Sequence, residues 1–330
     1  MTDLVKSMIP AAIIAFFITA LTGPLLIPML HKLKFGQSIR EDGPKWHQKK
    51  AGTPTMGGFM FIMGIVAAAA LFISRSPDAD RALAVLSMAL SFGFVGFIDD
   101  YIKVIKKRNL GLTEKQKMFL QLICAAAFII TLQIMGYINT KLYIPFLNKE
   151  IELSIGYYVF AMFAIIAIVN AVNFTDGVDG LAASVTIPAA LAYAVIAAFL
   201  RAEGVSILLV ACAASLLGFL IFNLHPAKVF MGDTGSMFLG GMIAAAAFAI
   251  NQPLIFLLIG FIYFIEMLSV VLQIWYFKKT KGKRLFKMSP LHHHFELSGW
   301  SENKIVVVFT FVTVILSILA CIGVQNYYNL

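Results

Sequence analysis

Four stretches of this 330-residue chain set carboxylates, amides or imidazoles where long apolar runs break off. Gly232-Asp233-Thr234-Gly235-Ser236 stands between the apolar runs 206–222 and 236–250. Asp99 and Asp100 close the run that ends Val95-Gly96-Phe97-Ile98. Asn170, Asn173, Asp176 and Asp179 share one short segment with no basic residue, and Gly177 and Gly180 each directly follow a carboxylate. His292, His293 and His294 are consecutive and are followed by Phe295-Glu296. An ionised group near a membrane core costs about 2.5–3.5 kcal/mol on insertion scales, so adjacent carboxylates there ask for a cation. On a helix, neighbours point about 100° apart, so Asp99 and Asp100 should have different partners. One would face a metal or a proton to be removed and the other a lysine. The plainer alternative is that both end the span and pair with Lys103, Lys106 or Lys107.

The chemistry these residue types suit is handling a phosphate. A helix starting near Asp233 offers unpaired N–H groups and a dipole that favours anions. Asp233 itself would repel phosphate unless a cation lay between them. Oxygen ligands without thiolate, next to a diphosphate, point to Mg²⁺ held by Asp233; Asp233 as a helix cap is the alternative, and the two roles are compatible. In the amide-rich segment, Asp176 or Asp179 can accept from a nucleobase or a sugar hydroxyl, while Asp179 can equally cap the following helix. Three consecutive histidines are too close for all to ligate one tetrahedral metal. They suit phosphate donors or acid/base groups, against a reading as part of a solvated basic loop. Lys45, Lys49 and Lys50 are open to a phosphate or lipid headgroup, or to a purely topogenic role. Glu266, inside an apolar run, marks either an ion path or a carboxylate that hydrogen-bonds between helices; in the second case Gln at that position would retain substantial activity.

The elements that must hold these groups are membrane helices. The chain is 60% hydrophobic and only 13% charged, which excludes a pair of soluble domains. Apolar stretches long enough to cross a bilayer fall at 8–30, 54–74, 82–98, 116–136, 155–172, 181–200, 205–222, 236–250, 253–276 and 304–325. The expected fold is an all-α polytopic membrane protein, one integral unit over 1–330, with about ten transmembrane helices. Twenty of the 26 Lys and Arg residues lie in the loops after spans 1, 3, 5, 7 and 9. The positive-inside rule then puts those loops in the cytoplasm and both termini outside. The net charge of +9 suits anionic lipid or a phosphorylated substrate, not nucleic acid. Cys124, Cys212 and Cys321 fall inside spans without metal-like spacing and read as core residues. The first span lacks a cleavage pattern and reads as a retained helix.

Phe97-Ile98-Asp99-Asp100-Tyr101, Asn173 to Gly180, Phe230 to Ser236 and Met288 to Glu296 stand in an order and spacing that resembles the polyprenyl-phosphate N-acetylhexosamine-1-phosphate transferases, over essentially the whole chain. Ser289 to Glu302, with Glu41 to Gly58, resembles the branch that uses a muramoyl-pentapeptide and not the N-acetylglucosamine branch. The resemblance implies a Mg²⁺-dependent transfer from UDP-N-acetylmuramoyl-pentapeptide to undecaprenyl phosphate at the cytoplasmic face of a bacterial plasma membrane, by a homodimer. It assigns Asp233 to the metal, and Asp99, Asp100, His292 and His293 with it to catalysis. For substrate contact it marks Lys45, Lys107, Asn173, Asp176, Gly177, Asp179, Asn223, Phe230 and His294. An N-acetylglucosamine-1-phosphate transferase is the competing enzyme. An ion-coupled transporter is the competing class, and it would spread polar residues through the bilayer depth and over both faces.

Overall fold

The computed structural model describes residues 2–33, 50, 52–106, 110–144, 146–147 and 149–328. Its helices are α1 Thr2–Lys32, α2 Gly58–Phe72, α3 Ala79–Ile105, α4 Glu114–Ile134, α5 Gly156–Thr175, α6 Leu181–Phe199, α7 Glu203–Asn223, α8 Gly232–Ala249, α9 Phe256–Ile259, α10 Phe261–Lys279, α11 Leu291–Glu296 and α12 Glu302–Tyr328. Among the described residues, nine helices are long and apolar enough to cross a membrane: α1 to α7, α10 and α12. Each of the ten expected spans overlaps one of these nine or α8. The fold is helical as expected, with one addition. Strands β1 (Lys141–Ile144) and β2 (Lys149–Glu152) pair antiparallel as a hairpin between α4 and α5.

α8 is the helix around which the others assemble. Every residue from Thr234 to Ala249 is buried. Its first turn carries Asp233, which lowers its apolarity, and the helix is solvated by other helices instead of lipid. Close approach is made possible by small residues, the packing device of membrane helices. A Cβ on Gly58 of α2 would stand 2.5 Å from the Gly235 Cα, one on Gly240 would stand 2.7 Å from the Val169 Cα of α5, and one on Gly96 of α3 would strike the Asp233 carbonyl. α1 presents the opposite case, with Ile9, Ile13, Phe17, Leu21 and Leu25 exposed along one face, as a lipid-facing helix requires.

The ninth expected span, 253–276, is not one helix. A 3₁₀ turn (Pro253–Ile255) and the short α9 precede Gly260, where the backbone leaves helical geometry (φ −98°, ψ 20°) before α10 begins. The ring of Phe256 occupies the place a Gly260 side chain would take. Up-and-down connectivity brings the C-terminal ends of α3, α5, α7 and α10 and the N-terminal ends of α4, α6, α8 and α12 to one end of the bundle. The polar residues singled out above converge there. The opposite end is closed by structural contacts. The Asp78 carboxylate accepts from the Gly204 N–H at 2.7 Å, the Tyr137 hydroxyl donates to Asp80 at 2.8 Å, and the Arg81 guanidinium lies 4.0 Å from the centre of the Tyr137 ring.

Candidate active site

α3 delivers Asp99 and Asp100 to the N-terminus of α8, where Asp233 occupies the first turn; oxygens of the three carboxylates lie within 4.8 Å of one another. The two neighbouring aspartates do point to different partners. The Asp99 carboxylate meets Lys103 Nζ at 2.6 Å, one helical turn on, and accepts the Leu112 N–H at 2.8 Å. The Asp100 carboxylate accepts the backbone N–H groups of Asp233 and Thr234 at 3.2 and 2.9 Å and the Thr234 hydroxyl at 2.8 Å. Asp100 therefore caps α8 from another helix. The cap anticipated for Asp233 is supplied from 133 residues earlier, which leaves the Asp233 carboxylate for other partners. Gly232 allows this contact: its φ of +71° lies in the left-handed region, and a Cβ would stand 2.6 Å from Asp100 Oδ2.

Asp233 is surrounded by donors. Lys103 and Lys117 approach its Oδ2 at 2.9 and 3.0 Å, and the Asn173 amide donates to its Oδ1 at 2.9 Å and to the Ser236 hydroxyl at 2.7 Å. Three carboxylates against two ammonium groups leave a net acidic, all-oxygen donor set, which fits a hard divalent cation. Asp99, Asp100 and Asp233 are the residues that could hold it. Such an arrangement can neutralise and orient phosphate groups at a membrane surface.

The turn between α5 and α6 lies alongside. Asp176 is half-buried; its backbone N–H donates to the Asn173 carbonyl at 3.3 Å, and its carboxyl has no hydrogen-bond or ion-pair partner among the described residues. Burial, with Asp233, Asp100 and Asp179 nearby, holds its carboxyl well above the usual carboxylate range. Gly177 is required by a close approach, since a Cβ there would collide with Nε2 of His292. Asp179 belongs to a different node. Lys50 bridges it (2.7 Å) to Glu302 at the start of α12 (2.6 Å), and His225 Nδ1 and the Ala227 N–H lie 3.0 Å from its other oxygen. It does not cap α6, whose N-cap is Gly180 without a side-chain bond. Asn223 ties the same region together, accepting the Gly180 N–H at 3.1 Å and donating to the Val229 carbonyl at 2.8 Å. The Phe230 backbone pairs with the segment before α2, donating to Pro54 O at 2.9 Å and accepting from Gly57 N at 2.8 Å.

The histidines divide. His292 is buried against Glu266, its Nδ1 lying 3.2 Å from Oε2. His293 Nδ1 pairs with Glu296 at 2.6 Å, and His294 Nδ1 accepts the Lys287 N–H at 3.1 Å. Sequence reasoning missed Lys117 altogether, named Ser236 only within the Gly232–Ser236 stretch without a role, and took Lys103 only as a neutralising neighbour of Asp99 and Asp100. Lys103 had a signal in its i+4 spacing from Asp99 and Ser236 in its place in the Asp233 stretch; Lys117 had none. Lys45 and Lys107 lie outside the described residues.

The helical membrane fold and this acidic site are matched by known proteins. Residues 82–251 match the model of glycosyl transferase family 4, a segment running from α3 through α8 and so holding Asp99, Asp100, Asp176 and Asp233. The chain belongs to that family and is a multi-pass membrane transferase. Three relatives give the particular kind, each named phospho-N-acetylmuramoyl-pentapeptide-transferase. The protein of Clostridium perfringens (strain ATCC 13124) is 50% identical over 323 residues, covering 96% of this chain and 98% of that protein. That of Staphylococcus saprophyticus is 49% identical over 95% of this chain and 98% of its own length. That of Listeria monocytogenes is 47% identical over 90% and 91%.

Proposed function

We propose that this chain transfers phospho-N-acetylmuramoyl-pentapeptide from UDP-N-acetylmuramoyl-pentapeptide to undecaprenyl phosphate, releasing UMP and forming lipid I for peptidoglycan. The observation that carries the reading is the junction of α3 and α8, where three carboxylates and two lysines meet at one end of a membrane bundle. The names of relatives about half identical over nearly the whole chain supply the substrates. An ion-coupled transporter is disfavoured by the same gathering of polar groups. Glu266, which lies within α10, pairs with a histidine and not with a further carboxylate along a path.

In this reading an oxygen of the lipid phosphate attacks the sugar-bearing phosphorus. The new P–O bond forms as the bond to the UMP phosphate breaks, and UMP carries away the electron pair. A phosphate monoester has a second pKa near 6, so near pH 7 the acceptor is mostly a dianion and needs little base. Charge neutralisation and in-line placement carry most of the rate. Mg²⁺, when bound by Asp233 with Asp99 beside it, supplies screening of the diphosphate charge. Lys103 and Lys117 neutralise the remainder. Asp100 positions Asp233 by fixing the first turn of α8. Asp99, already engaged by Lys103 and the Leu112 amide, is poorly placed as a covalent nucleophile.

Asn173, Asp176 and Gly177 form the side toward the nucleotide and sugar, and Phe230 and Asn223 shape its edge. Asp179 contributes by holding Lys50 and the α7–α8 loop. His293 and His294 stand at the rim, and the family resemblance marks Lys45 and Lys107 for substrate contact. We place the site on the cytoplasmic face of a bacterial plasma membrane, where the basic loops belong by charge bias. The continuous hydrophobic cluster from Leu30 to Val324 supports one integral unit over 1–330, and the family resemblance implies that two copies assemble. Purified protein with Mg²⁺ and either UDP-N-acetylmuramoyl-pentapeptide or UDP-N-acetylglucosamine, with and without undecaprenyl phosphate, tests the reading. UMP and lipid product should form only from the muramoyl substrate and only with acceptor. Product from UDP-N-acetylglucosamine alone would transfer the chain to the other branch. A stoichiometric UMP burst without acceptor would overturn direct attack.

A further inference from the structure

Glu266 is fully buried in α10 and His292 is 1% exposed in α11. Among the described residues no lysine or arginine lies within 4.0 Å of the Glu266 carboxylate. Its salt-bridge partner is the His292 ring, Nδ1 to Oε2 at 3.2 Å. The same carboxylate also accepts the His292 backbone N–H at 3.1 and 3.3 Å, from Oε1 and Oε2. Leaving a buried carboxylate without such partners costs several kcal/mol, so a glutamate inside this helix is balanced by what it holds. An ionised carboxylate only accepts hydrogen bonds, which requires a proton on Nδ1 of the histidine. The other nitrogen, Nε2, is buried with no hydrogen-bond partner and sits against Gly177, at the place where a Cβ would be. A buried orphan nitrogen costs about 1–3 kcal/mol. Here it faces the turn that carries Asp176.

We infer that Glu266 is a positioning residue: it clamps the backbone and ring of His292 and fixes the Nδ1–H form, so that neutral His292 offers the Nε2 lone pair at the Asp176–Gly177 turn to an O–H or N–H donor of the nucleotide-sugar substrate. The inference rests on the proposed transfer reaction for the identity of that substrate, and on the structure alone for the tautomer. It reverses the expectation that Gln at 266 would be tolerated. A Gln accepts the His292 N–H with its oxygen but turns its NH₂ toward Nδ1. Packing is preserved and the proton is moved to Nε2.

The test combines kinetics with ¹⁵N-histidine NMR on the full chain in nanodiscs, the His292 signals being identified by their loss in His292→Ala. Outer-shell partners of metal-ligating histidines change activity about 10–100-fold, and the same scale is expected for this Glu–His pair. Glu266→Gln should lower kcat by about that factor, with KM for the nucleotide sugar within about 3-fold and a parental melting temperature. It should add nothing to His292→Ala. The parent spectrum should show the Nδ1–H form and Glu266→Gln the Nε2–H form. Parental kcat in Glu266→Gln, or an Nε2–H form in the unsubstituted protein, would overturn the inference. The second measurement is made on the unsubstituted protein, and His292→Ala serves only to assign its signals. Absence of any transfer by the parent would instead defeat the proposed reaction and leave the tautomer readable.

Discussion

Asp176 differs from the other acidic residues of the site in that its carboxyl lacks a partner among the described residues. Its raised pKa makes it a stability liability with a definite sign. With the folded-state value above the unfolded one, near 3.9, its contribution is fully present below that value. It is lost as pH rises through the folded-state pKa. Asp176→Asn removes the liability, so its melting temperature should exceed the parent's at pH 7.5, by a margin that shrinks at pH 5. Its transfer rate should fall at least about 10-fold if Asp176 contacts the nucleotide sugar as proposed above. Equal melting temperatures at both pH values would show that the unliganded carboxyl is not held at a cost. Such residues trade stability for function, as active-site groups commonly do. Asp233, Asp99 and Asp100 are by contrast already matched by lysines and backbone amides.

At the scale of elements, the α3–α8 contact decides whether the site exists. Gly96 lets α3 approach until its Cα region touches the Asp233 carbonyl, and the same approach lets Asp100 reach the α8 amides. Gly96→Ala should cost about 1–3 kcal/mol, the range for overpacking, and should lower transfer by displacing Asp233. Gly93→Ala, whose Cβ would meet Phe238 Cβ at 3.1 Å, should be milder. Thermal melts and transfer assays of the pair check this, and equal behaviour would remove the close approach as the reason for Gly96. Much of the helical plan was legible, because apolar runs of bilayer length announce themselves and i,i+1 geometry alone separates Asp99 from Asp100. The capping of α8 by Asp100 was not legible. It joins residues 133 apart, and local patterning assigns a cap to the nearest carboxylate, Asp233. The break at Gly260 was hidden for a related reason: glycine inside an apolar run is common in membrane helices, and the Phe256 ring that occupies its side-chain position is a matter of packing.

For the whole molecule, the up-and-down path sends one set of helix ends to the reactive face and the other to a closed face built from the Tyr137, Asp78 and β1–β2 contacts. The sequence showed which residues were chemically unusual, and charge bias grouped their loops. It could not show that Glu266 and His292, or Lys50, Asp179 and Glu302, would meet, since each pairing depends on three-dimensional approach between distant elements. Family membership and substrate class rest on the motifs and on relatives covering nearly the full chain. The role of the acidic cluster rests on its geometry. The most direct test compares product formation by the parent and Asp233→Asn at saturating Mg²⁺ and both substrates, with helix content verified by circular dichroism. The account predicts that the variant keeps its helicity and loses at least about 10³-fold in rate, roughly 4 kcal/mol of transition-state stabilisation, without recovery at higher Mg²⁺. A folded Asp233→Asn protein turning over within a few-fold of the parent would contradict it.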